Sequence, residues 1–217
     1  MTEIKNIAVY ELKESIIASG LAMRLDAYDY NYEEKENMEQ HSKRCCRLVQ
    51  ASKNTDVHCH DNFLTGIRVS FDIKYPQYLT PELQRYHWVD IVTSMSKMHR
   101  LTKMDIKKSC NKYVTDELIN SLNKYIADYK KIVQFYKDEG LSDTQTARED
   151  IYRAWMTVIS NCPLGLELWM RVSTNYKQLQ TIYYQRRHHR LKEDWGAVIA
   201  MIERLPYFKE FILGENE

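Results

Sequence analysis

Two stretches of strict alternation, far apart in an otherwise helix-patterned chain, restrict the fold more than any other feature. Ile67, Val69, Phe71 and Ile73 take every second position, with Arg68, Ser70, Asp72 and Lys74 between them. Successive side chains of a strand point to opposite faces, so the pattern predicts a half-buried strand over 66–75. Pro76 ends it by removing a ladder donor. Leu166, Leu168, Met170 and Val172 repeat the pattern and predict a second strand over 166–174. The short segment 5–10 is also β-prone.

Most of what lies between has helical spacing. Six glycines and four prolines are few for 217 residues, so long elements are expected. Helices are predicted over 12–19, stopped by Gly20, and over 38–51, with Cys45, Leu48 and Val49 facing inward. Thr80-Pro81-Glu82 reads as the start of another: a Thr cap, Pro at the first helical position and an acid in the first turn. The clearest helix spans 115–138, with Leu118, Leu122, Tyr125, Tyr129, Ile132 and Tyr136 along one face. After Gly140, Ser142 and Gln145 form a capping box for a helix burying Ala147, Ile151, Ala154 or Trp155, and Val158. Cys162-Pro163-Leu164-Gly165 breaks the chain, and helices are predicted again over 175–188 and 191–205. Segment 26–37 is polar and tyrosine-rich and reads as an exposed loop. Without a βαβ rhythm, the sum is an α+β class with an antiparallel or mixed sheet flanked by long helices. One domain over 1–217 is expected, with a helical insertion at about 103–140.

With 31 basic and 30 acidic side chains, the net charge of +1 lacks the electrostatic footprint of a nonspecific nucleic-acid binder. No run of about 18 apolar residues is present, so no membrane partner is expected. The opening Met1-Thr2-Glu3-Ile4-Lys5 lacks a signal-peptide pattern. The odd count of five cysteines, without a Cys-x-x-Cys pair, reads as reduced thiols in a cytoplasmic protein.

Three clusters carry candidate chemistry. His58-Cys59-His60-Asp61 holds metal-ligand types, but adjacent residues rarely face one ion and no second half has zinc-like spacing, so no metal is expected. Arg186, Arg187, His188, His189 and Arg190 crowd a helix end, where cations complement the macrodipole or hold an anion through guanidinium forks. Arg85-Tyr86-His87 through Ser94, Ser96, Lys97, His99 and Arg100 interleaves cations, hydroxyls and imidazoles. Phosphate-loop, Rossmann, hydrolase-elbow and zincin motifs are missing.

Through these clusters the sequence resembles the flavin-dependent thymidylate synthases. His60 precedes the strand that carries Phe71, Lys74 and Pro76, and Arg85 follows at the family's pitch. Pro163, Asn175, Leu179 and Arg186 reproduce a Pro, Asn-x-x-x-Leu, Arg block, and Pro206-Tyr207-Phe208 is similar to the family's closing segment. The resemblance covers roughly 60–97 and 155–211. It implies an α+β subunit in a homotetramer that binds FAD and dUMP. NADPH and methylenetetrahydrofolate would be co-substrates for reductive methylation of this pyrimidine nucleotide. By position, His60, Arg85, His87, Asn175 and Lys177 would contact the cofactor. Ser94, Ser96, Lys97 and Arg186 would contact the nucleotide, and no catalytic residue is assigned.

The chain also departs from the family. Arg85-Tyr86-His87 stands where the family has Arg-His-Arg, and Asp90, Val92 and Thr93 stand where it has serine, asparagine and glutamate. Ile159 and Lys177 replace arginines, and lysine lacks the bidentate fork. The resemblance therefore implies a divergent, phage-type member. The alternative is a catalytically altered homologue that binds a nucleotide or a protein partner as a regulatory protein. A reading independent of the resemblance is a helical interaction protein whose 115–138 stripe is a partner face.

Overall fold

The computed structural model of the chain describes residues 2–25, 38–54 and 60–215. Segment 26–37, read above as a loop, lies outside the described residues, as do His58 and Cys59. The chain forms two compact units. The larger draws on Thr2–Ile73, Glu82–Thr93 and the chain from Met170 onward; the smaller draws on Lys74–Pro81 and Ser94–Trp169.

In chain order the elements are β1 (Glu3–Tyr10), α1 (Leu12–Ala18), α2 (Met38–Asn54), α3 (Phe63–Gly66), β2 (Arg68–Pro76), α4 (Thr80–Leu83) and β3 (Asp90–Ser94). They continue as α5 (Lys97–Arg100), α6 (Ile106–Ser109), α7 (Asp116–Asp138), α8 (Gln145–Ser160), β4 (Glu167–Asn175), α9 (Tyr176–Arg186) and α10 (Lys192–Ile202). A π-helical turn, Phe208–Leu213, follows. The class is α+β, and the four strands lie in the order β1-β2-β4-β3.

Both alternating stretches are the central strands. Val69, Phe71, Ile73 and Tyr75 of β2 are buried, as are Leu168, Met170, Val172 and Thr174 of β4. In the larger unit, Phe71, Ile73, Met170 and Val172 face Leu179, Ile182, Trp195 and Val198 of α9 and α10. Two helices thus cover one face of the sheet, and burial of these apolar side chains supplies the main driving force. β3 is an edge strand whose five residues are all exposed. Without a buried face it leaves no alternation to read, so the sequence did not reveal it.

In the smaller unit α7 and α8 pack against each other. The stripe of α7 is shifted from the expected one: Ile119, Leu122 and Ile126 are buried, whereas Leu118 is 54% exposed. Gly140 takes the left-handed conformation, φ 67°, just past the helix end. The cap of α8 is Thr144, whose hydroxyl accepts from the Ala147 N–H at 3.2 Å, and not Ser142. α4 is a single turn, shorter than the Thr-Pro-Glu signal suggested. Among the described residues no helix is long and apolar enough to cross a membrane. Cys45, Cys46, Cys110 and Cys162 are free thiols, and burial pushes Cys110 up to about 11.

Candidate functional site

The larger unit organises its polar side chains around α9. Asn175 opens the helix: its Oδ1 accepts from the Gln178 N–H at 2.8 Å, which satisfies one of the helix's orphan donors. The side chain is 4% exposed, and Asn175→Ala is expected to lower unfolding free energy by about 1–2 kcal/mol in urea denaturation. Two faces of α9 then diverge, one towards α2 and the turn at His60, the other towards the segment that follows α4.

On the first face Lys177 donates to the carboxylate of Asp61 at 2.6 Å and to Gln180 at 3.3 Å. Asp61 is 1% exposed, and its backbone N–H donates to Ser52 Oγ at 3.0 Å. Asp61 Oδ1 has no hydrogen-bond partner among the described residues. These residues, with Lys53, Thr181 and Tyr184, line a cavity of about 560 Å³. The Lys53 ammonium is held by the Tyr184 hydroxyl and by backbone carbonyls of the π-helical turn. His60 is exposed beside a separate cleft of about 360 Å³ that also reaches Ser15, Ser19 and Phe63.

The second face joins the two basic clusters. The Arg186 Nε–H donates to Tyr86 Oη at 2.7 Å, and that hydroxyl in turn donates to Gln185 Oε1 at 3.1 Å. Tyr86 is flanked by Arg85 and His87, so the segment after α4 is tied to the end of α9. The Arg186 guanidinium lies 4.7 Å from the Trp195 ring centroid and 5.6 Å from that of Tyr86, a cation–π arrangement on two rings. Its NH1 lies 3.1 Å from Glu82 Oε2, which also accepts the Trp195 indole N–H at 2.8 Å. His189 Nε2 is 3.8 Å from the same oxygen. Around this knot Arg85, His87, His188 and Arg190 are exposed and make no ion pair or hydrogen bond among the described residues. Arg187 lies over the Tyr184 ring at 5.1 Å.

Of the expected site residues, Lys177 pairs with Asp61, whereas His60 lies beside the separate cleft; Arg186 bonds to Tyr86, whose chain neighbours Arg85 and His87 are exposed. Asn175 is buried as the cap at the start of α9. Ser94, Ser96 and Lys97 fall in the smaller unit: Ser94 ends β3, Ser96 Oγ is 2.8 Å from His99 Nδ1, and Lys97 opens α5. Sequence reasoning missed Glu82, Asp61 and Trp195 as partners. In the sequence Glu82 is a first-turn acid and Asp61 one of a ligand-rich quartet. No local spacing signals a pairing between residues so distant along the chain. Among the described residues no group of His, Cys, Asp and Glu is placed to hold a metal ion.

No protein-family model matches the chain, and no curated protein matches it by sequence. Solved structures do match its fold. A flavin-dependent thymidylate synthase, ThyX, from Helicobacter pylori, complexed with FAD and dUMP, is 13% identical; the match covers 97% of this chain and 96% of that one, with a TM-score of 0.58. A second structure of ThyX from that organism with FAD and dUMP, also 13% identical, covers 98% and 97% with a TM-score of 0.56.

Proposed function

We propose that this chain, which has the fold of the flavin-dependent thymidylate synthases, binds FAD and a pyrimidine nucleotide of the dUMP type. One observation carries the reading. The Tyr86–Arg186 contact joins two cation clusters that are distant in sequence, in segments whose exposed guanidinium and imidazole groups make no ion pair or hydrogen bond among the described residues. Such donors suit a diphosphate and a nucleotide phosphate, because guanidinium forks bind these oxyanions through charge-assisted hydrogen bonds. Arg85 and His87 would hold the cofactor and Arg186 the nucleotide. His60, Asn175 and Lys177 are proposed on the cofactor side, and Ser94, Ser96 and Lys97 as nucleotide donors. Bound flavin would supply hydride transfer, with NADPH and methylenetetrahydrofolate as co-substrates. The chain's own residues bind and orient. A homotetramer of single-domain subunits, each with a helical insertion at about 103–140, belongs to the same proposal.

A second reading, a homologue that binds the nucleotide without methylating it, is favoured by two ion pairs. Glu82 neutralises Arg186, and Asp61 neutralises Lys177, so two of the expected cations carry an internal counter-charge. FAD titration followed by flavin absorbance tests the proposal. Wild type is expected to take up FAD, and Arg85→Ala to bind it about tenfold more weakly, as loss of a charged hydrogen bond implies. Colourless protein with no spectral change on titration overturns the flavin reading. FAD uptake without turnover of dUMP selects the second reading.

A further inference from the structure

We propose that Glu82 is a specificity residue: its carboxylate occupies the Arg186 guanidinium as an internal competitor, so that an anionic ligand binds Arg186 only by displacing it. The inference rests on the reading of Arg186 as a nucleotide-binding residue and adds what governs that binding.

The geometry is that of a ligand already in place. Arg186 has five N–H donors. Nε is spent on Tyr86 at 2.7 Å, and NH1 faces Glu82 Oε2 at 3.1 Å, while the Trp195 and Tyr86 rings pack against the guanidinium. The pair is sheltered, with side chains 15% and 27% exposed for Arg186 and Glu82, so water and salt screen it less than a surface pair. An oxyanion approaching the remaining donors meets the Glu82 charge at close range, and like charges that near one another are unfavourable.

Glu82 is held in a way that permits displacement. Among the described residues all of its side-chain contacts run through one oxygen: Oε2 accepts from the Trp195 indole and faces both Arg186 and His189. Oε1 has no partner among the described residues. Because these contacts converge on that one oxygen, an oxyanion that takes the Arg186 guanidinium need displace only Oε2. The guanidinium groups of Arg85, Arg187 and Arg190 nearby in the chain are exposed and add positive potential. Glu82 is thus the acidic group that faces the guanidinium among the described residues.

Calorimetric titration of wild type, Glu82→Gln, Arg186→Ala and the double variant with dUMP and with uridine tests this. Glutamine keeps the shape and the Oε acceptor for Trp195 but removes the charge, and near-UV circular dichroism and thermal melting, compared with wild type, check that the packing persists. Glu82→Gln is expected to bind dUMP about tenfold more tightly while uridine affinity stays unchanged, because only the phosphate senses the removed charge. The gain is expected to vanish in the double variant. Unchanged or weaker dUMP binding by Glu82→Gln, or an equal gain for uridine, overturns the competitor role. If Arg186→Ala weakens dUMP binding while Glu82→Gln leaves it unchanged, only this inference fails. If dUMP binding is indifferent to Arg186→Ala, or neither wild type nor Glu82→Gln binds dUMP, the nucleotide reading fails with it.

Discussion

Trp195→Ala is expected to lower the unfolding free energy by about 3–5 kcal/mol, the range for truncating a fully buried large aromatic. Trp195, on α10, is 1% exposed and is buried among Phe71, Ile73, Met170 and Val172 of the sheet and Leu179 and Ile182 of α9. The substitution also removes the indole N–H that holds Glu82 and the ring beneath the Arg186 guanidinium. Urea denaturation measures the loss. Trp195→Phe separates its parts, since it keeps most of the packing and loses the N–H donor, so it is expected to be milder than alanine. A loss below about 1 kcal/mol for alanine would show that Trp195 does not anchor this packing.

Arg186→Ala is expected to weaken binding of a uridine monophosphate by about 2 kcal/mol, roughly thirtyfold, because a charged donor to an oxyanion is lost. The same change leaves Tyr86 Oη without its strongest donor and Glu82 without its counter-ion. Some destabilisation is therefore expected as well, and melting must be compared alongside affinity. Equal calorimetric affinity in wild type and variant removes Arg186 from the site.

The architecture was largely legible in the order of residues. The alternation through Ile67–Ile73 and Leu166–Val172 marked both central strands, because a strand with one buried face imposes period two on its own sequence. The helical period likewise marked α7, α8, α9 and α10. Finer detail was not legible. Leu118 and Ile119 both fit a helical repeat of α7, and packing in the smaller unit buries Ile119. Ser142 and Thr144 are both competent caps; the turn in which the Thr144 N–H bonds the Leu141 carbonyl decides for Thr144. β3 was invisible because an exposed edge strand needs no apolar pattern.

The candidate site divides in the same way. Local clustering of cations marked Arg85 and Arg186, and the resemblance to the flavin-dependent thymidylate synthases pointed to Lys177. Their counter-charges came from the folded chain alone. Asp61 meets Lys177 and Glu82 meets Arg186 because a turn and a one-turn helix bring each carboxylate to a different face of α9. Ion pairing falls off with distance in space and is indifferent to distance along the polypeptide. One acidic residue therefore reads much like another until the backbone has been placed. The sequence by itself determined which elements form and which side chains carry charge. Tertiary structure decided which of those charges are already cancelled and which face outward.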